Sequence, residues 1–132
     1  MTRSVSHRVR LWVGILALAG CGRTPPADDA GKAADAFLET VRTGKVDAAW
    51  ESTTAEFKSS EGRESFRRVV TKEAVLKKPL KRSSQEPVTI GQLERLELMY
   101  QPEDTSLKSS VKLLLAADGG EWKVDSLSVE KR

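Results

Sequence analysis

An α+β domain, with N-terminal helices packed on a curved antiparallel sheet, is what three observations in this chain imply. Apolar residues recur at helical spacing from Lys32 to about Val75. After Pro79 the apolar period shortens to two. Asp118-Gly119-Gly120 then separates two alternating segments in the manner of a hairpin turn. Helices first and a run of antiparallel strands afterwards is the α+β order.

The first helix follows from Ala33, Phe37 and Val41, flanked by Ala34 and Leu38, with Gly44 standing where a left-handed cap closes a helix. A second, short helix covers Val46–Glu51, with Val46, Ala49 and Trp50 on one face. Ser52-Thr53-Thr54 supplies capping hydroxyls for a third unit containing Phe57. Phe66, Val69, Val70 and Ala74 continue a helical stripe from about Gly62 to Val75, and Pro79 stops it. A weak strand includes Val88 and Ile90. A firmer one spans Gln92–Tyr100, where Leu96, Leu98 and Tyr100 alternate with Glu97 and Met99. Leu107–Leu115 gives a long strand with Lys108, Ser110 and Lys112 on its polar face. In the return strand Trp122 and Val124 lie on one parity, Leu127 and Val129 on the other. A bulge near Asp125–Ser126 reconciles the two and bends the sheet.

Ahead of this domain, Arg3, Arg8 and Arg10 form a cationic start with no acidic residue. Leu11–Ala19 is a short apolar run, and Leu18-Ala19-Gly20-Cys21 has the form of a lipobox. The run falls well short of the about 20 residues that a spanning helix needs. Residues 1–20 therefore read as a cleaved lipoprotein signal, with Cys21 the acylated residue of the mature chain. Two or three acyl chains, each methylene contributing about 0.8 kcal/mol, anchor stably where one would not. Residues 21–31, rich in Gly, Pro and Asp, read as the lipidated cysteine and a flexible linker, and residues 32–132 as the domain. The expected location is the cell envelope, outside the cytoplasm. Gly22, rather than an aspartate, after the cysteine points to the outer membrane.

The +3 net charge of the full chain comes from the leader. Three of the 22 basic residues lie there, which leaves 19 against 19 acidic residues. A neutral domain outside the cytoplasm gives no reason to expect nucleic acid as a partner. The one histidine, His7, is in the leader, and the one cysteine is the lipidation site. Histidine-dependent triads, cysteine nucleophiles, disulfides, structural zinc and haem or iron–sulfur ligation are thereby excluded for residues 32–132. No cofactor or metal is expected; Asp28-Asp29 and Asp118-Gly119-Gly120 lack calcium-loop spacing.

The helix with Ala33, Phe37 and Val41, then Gly44, then Val46-Asp47-Ala48-Ala49-Trp50 and Phe57, resembles the opening of nuclear transport factor 2-like domains. The ending Gly120-Glu121-Trp122-Lys123-Val124-Asp125 is similar to their last hairpin. The resemblance spans about Lys32–Val129 and rests mainly on structural positions. It implies helices wrapped by a strongly bent sheet into a cone with a pocket. The superfamily includes ketosteroid isomerase, dehydratases, polyketide cyclases and many small lipoproteins. The histidine that several dehydratase-like members use has no counterpart here.

Two sets of side chains carry functional expectations. Trp50, Phe57, Phe66, Tyr100 and Trp122 are candidates to line a pocket for a small apolar ligand; the competing reading is that, together with Phe37, they fill the core. Arg63, Arg67, Arg68, Lys72, Lys77, Lys78, Lys81 and Arg82 form a tract of eight cations interrupted by Glu64 and Glu73, a local charge of +6. That tract faces anionic head groups or an acidic partner, or is an ordinary solvated helix face. Asp125, at the expected bulge, is a carboxylate that a closed pocket would turn into a base. The leading expectation is a non-enzymatic envelope module that binds a ligand or a protein, with no catalytic residue assigned. The alternative is an isomerase- or dehydratase-like enzyme using a carboxylate and the Tyr100 hydroxyl.

Overall fold

The computed structural model describes residues 24–131. The leader and the expected lipidation at Cys21 lie outside the described residues. Among the described residues four helices precede four strands: α1 (Ala27–Arg42), α2 (Val46–Glu51), α3 (Ala55–Ser60), α4 (Arg63–Lys72), a 3-10 turn (Ala74–Lys77), then β1 (Leu80–Ile90), β2 (Leu93–Pro102), β3 (Ser109–Asp118) and β4 (Glu121–Lys131). The α+β order is as expected. The strands form one open antiparallel sheet in the order β1-β2-β3-β4. Among the described residues no helix is long and apolar enough to cross a membrane.

α1 starts five residues before the expected Lys32, so Ala27–Gly31 is helix and not linker. Pro26 precedes the first turn, and Asp28 and Asp29 within it complement the positive end of the helix dipole. The small residues that suggested a linker serve close packing instead, since Ala30 and Ala34 are fully buried. Gly44, at φ +90°, closes α1 as expected, with the Lys45 N–H reaching back to the Thr40 carbonyl.

Thr54 caps α3 by accepting the Phe57 N–H at 3.1 Å. The stripe after Gly62 does not continue as one helix to Val75. α4 ends at Lys72 and Glu73 is extended. Continuing the Phe66–Val70 face would present Ala74 and Lys77, leaving Val75 and Leu76 off the buried side. The 3-10 turn re-aims both into the core, where they are 2% and 1% exposed.

β1 is longer than its apolar pattern suggested. Its eleven mostly exposed residues pair along nearly the whole of β2, so the ladder rather than a core face holds it. Pro87, Lys81 and Arg82 are compatible with an edge position. Gly119 and Gly120, both at positive φ, form the β3–β4 turn. The register then shifts at Leu114/Leu115, which leaves Asp125 as the extra residue where a bulge was expected. Ser110 is buried, contrary to its place on an expected polar face, while Lys112 is half-exposed and pairs with Glu130.

Both edges of the sheet reach α1. From β1, the Gln85 amide donates to the Ala27 carbonyl at 3.0 Å; from β4, the Trp122 indole donates to the Pro26 carbonyl at 2.8 Å. The sheet is thus curled around one helix. Phe37, Leu38 and Val41 of α1 meet Phe57, Phe66, Leu98, Val111, Leu113 and Leu115 in a single core. Phe66 sits between two rings, 6.1 Å from Phe37 and 5.6 Å edge-on from Phe57.

Candidate functional site

The five aromatic candidates do not line one pocket. Phe57 and Phe66 are core residues, 3% and 1% exposed. Trp50 is half-buried at the surface, its N–H donated to the Glu61 carbonyl at 2.8 Å, with Arg63 4.8 Å and Lys58 5.6 Å from its ring. Trp122 holds the start of α1. Tyr100 borders an open depression. α1 occupies the hollow of the bent sheet, so Phe37, Phe57, Phe66 and Tyr100 fill the core, while Trp50 and Trp122 pack at its margin.

Tyr100 borders a groove of about 550 Å³ where α1 ends and β1 begins. Asp35, Leu38, Glu39 and Arg42 of α1 form one wall; Lys78, Pro79, Leu80, Arg82 and Glu103 form the other. A more open depression of about 730 Å³ around Lys81, Ser83 and Gln101 shares Arg82 and Glu103 with it. The groove is polar and open, and three carboxylates and three cations line it. Tyr100 donates its hydroxyl to Asp35 Oδ1 at 2.5 Å, and Arg82 lies 3.9 Å from the other oxygen. Arg82 also lies over the bare Cα of Gly31, a contact that a β-carbon there would displace. Arg42 grips Glu39 with Nε at 3.0 Å and Nη2 at 2.6 Å.

Burial first, and the Asp35 carboxylate second, push the Tyr100 phenol well above its ordinary value. The neutral phenol is therefore a fixed donor and not a base. Asp35 is half-exposed and engaged, so the buried carboxylate in a closed chamber that isomerase-type chemistry requires is not formed at Tyr100. Because the folded state raises this group, its contribution is complete below the unfolded value of about 10 and is lost as the pH climbs through the folded one. Tyr100 is the sole tyrosine, so phenolate absorbance reads it alone. We expect no ionisation in the ordinary tyrosine range until the domain unfolds, and a downward shift in Asp35→Asn. An ordinary titration of the folded protein would contradict the contact.

Asp125 is engaged elsewhere. Its Oδ2 accepts from Arg95 Nε at 2.9 Å and its Oδ1 from the Thr54 hydroxyl at 2.7 Å. Thr54 also donates its N–H to the Val124 carbonyl at 3.0 Å. This network, at side chains only 14% exposed for the ion pair, ties the bulge to the start of α3 and to β2. Its role is positional. Among the described residues no three metal-ligating side chains converge.

The basic tract divides in two. Arg63 pairs with Glu51 at 2.6 Å, Arg67 with Asp47 at 2.6 Å and with Glu64, and Arg82 with Asp35. The Arg67 fork holds the Asp47 carboxyl below the usual carboxylate range and pins α4 to α2. Arg68, Lys72, Lys77, Lys78 and Lys81 form no ion pair among the described residues. They follow the second half of α4, the 3-10 turn and the start of β1, so they gather at the groove end. Pro26 lies at the other end, beside Trp122 and the hairpin turns. The sixteen residues of α1, about 24 Å of helix, separate the two.

Spacing could not reveal Asp35, Glu39, Arg42 or Arg95 as members of these clusters. Asp35 sits off the apolar stripe of α1, and its tyrosine partner is 65 residues away. No family model matches the chain, and no curated protein matches it.

Proposed function

We propose that this chain is an envelope lipoprotein, lipidated at Cys21, whose nuclear transport factor 2-like domain is a non-catalytic binding module for an acidic protein partner. One observation carries the binding reading: α1 fills the hollow of the sheet, which leaves open polar grooves and no apolar chamber among the described residues. A small apolar ligand has nowhere comparable to bury itself. The lipobox supports the anchor. The helix–Gly–Val46-Asp47-Ala48-Ala49-Trp50 opening and the bent meander support the family reading.

Arg68, Lys72, Lys77 and Lys81, cations with no carboxylate partner among the described residues, support an acidic partner over anionic head groups, because they gather at the end opposite the tether. Polybasic attraction to lipid fades within a Debye length, about 8 Å at physiological salt, and α1 alone is about three times that. The enzymatic alternative retains Tyr100 and Asp35 as its only neighbouring pair, and they form an open site.

Photo-crosslinkers at Lys72 and Lys81 in intact envelopes test this reading against one at Glu121 near the tether. We expect one discrete adduct from the basic end, lost when Arg68 and Lys77 are changed to glutamate and weakened by salt. Adducts from Glu121 alone, or adducts indifferent to the charge reversal, contradict it.

A further inference from the structure

The β1–β2 hairpin parts from the rest of the sheet towards its tip, which is level in register with the β3–β4 turn. β2 pairs with β3 only over Leu96–Tyr100, so Leu93–Arg95 and their partners Val88–Ile90 have no neighbour on that side. At the tip stand Ile90 and Leu93, 52% and 57% exposed, the large apolar side chains most open to solvent among the described residues. They are direct cross-strand partners, so their side chains leave the hairpin on one face as a compact pair. Gly91, at φ +64°, makes the tight turn that holds them together.

This tip points the way the chain leaves the domain. Gln85 of β1 is bonded to Ala27 at the start of α1, and the hairpin continues five residues beyond it, about 17 Å at strand rise. From Pro26 back to Cys21 is also five residues, at most about 18 Å of extended chain. The reach of the tether thus matches the length of hairpin beyond the start of α1. We propose that Ile90 and Leu93 are a second membrane contact, seated in the interface of the bilayer that holds the acylated Cys21. This rests on the anchor reading above.

The charges around the tip decide which lipid it prefers. Glu86 and Glu94 lie on the hairpin, and Asp118 and Glu121 flank the adjacent turn. Arg95 is taken up by Asp125, and Lys123 lies 3.6 Å from Asp118. The contact is therefore apolar, not electrostatic, and anionic lipid opposes it. It also fixes orientation, turning the groove and the basic end away from the bilayer.

The test uses the full lipidated protein in zwitterionic vesicles of phosphatidylethanolamine and phosphatidylcholine. A nitroxide is placed at Gln92→Cys, between the two apolar residues, or at Thr105→Cys in the opposite-end loop. We expect the label at 92 to favour collisions with dissolved oxygen over a water-soluble nickel chelate, and the label at 105 to show the reverse. Adding Ile90→Ser and Leu93→Ser returns the label at 92 to water, and phosphatidylglycerol shifts it the same way. A label at 92 as aqueous as that at 105, in protein retained on the vesicles, overturns the proposal alone. Spin–spin broadening at 92 without lipid exposure overturns it in favour of hairpin pairing between copies. Protein not retained at all overturns the anchor, and the tip contact with it.

Discussion

Phe66→Ala is expected to destabilise the domain by about 3–5 kcal/mol, the usual range for removing a buried ring. Phe66 is 1% exposed and packs against both Phe37 and Phe57, so three elements lose contact at once. Neither α1 nor the short α3 relaxes freely into the gap, because α1 is held at its start by Gln85 and Trp122 and α3 by its Thr54 cap. Small domains have only about 5–15 kcal/mol in total, so the loss is a large share of the whole. Denaturant titration followed by tryptophan fluorescence measures it. A loss under about 1 kcal/mol would mean that the rings line a space able to close, which is the pocket reading rather than the core reading.

Asp125→Ala should rank second, at about 2–4 kcal/mol. The change strands Arg95, whose side chain is only 14% exposed, and removes the acceptor for the Thr54 hydroxyl. Deleting one member of a buried pair costs about 3–5 kcal/mol, and the partial exposure here reduces that. Asp125→Asn keeps an acceptor for Thr54 and should recover part of the loss. If Asp125 instead served as a base, alanine would leave stability nearly unchanged. Urea midpoints of the two variants separate these outcomes.

The strand part of the fold was readable because alternation, glycine turns and parity each carry a local signal. Leu96, Leu98 and Tyr100 alternate, and all three are buried. The parity change between Val124 and Leu127 located the bulge at Asp125, since a sheet with one buried face cannot switch sides without an extra residue. β1 was faint because an edge strand held by its ladder has no need of an apolar face. The start of α1 was misread because Pro, Asp and Gly signal both linkers and helix beginnings; the burial of Ala30 decides between them.

The candidate site was far less legible. Helical spacing identified the face bearing Phe37, Phe57 and Phe66, yet it cannot say whether that face meets a void or a helix. Nor does a charge run disclose its partners. Arg67 finds Asp47 twenty residues back, whereas Lys72 and Lys77, in the same tract, find no carboxylate among the described residues. The division between the two groups of cations is a property of the fold.

The central claim, a binding domain held at a bilayer by an acylated cysteine, is reached most directly by growing cells with labelled palmitate and isolating this protein. The account predicts that label enters the native chain, that none enters Cys21→Ser, and that the serine variant leaves the membrane fraction. A native chain that takes up no palmitate, or a serine variant that sediments with membranes as before, would contradict it.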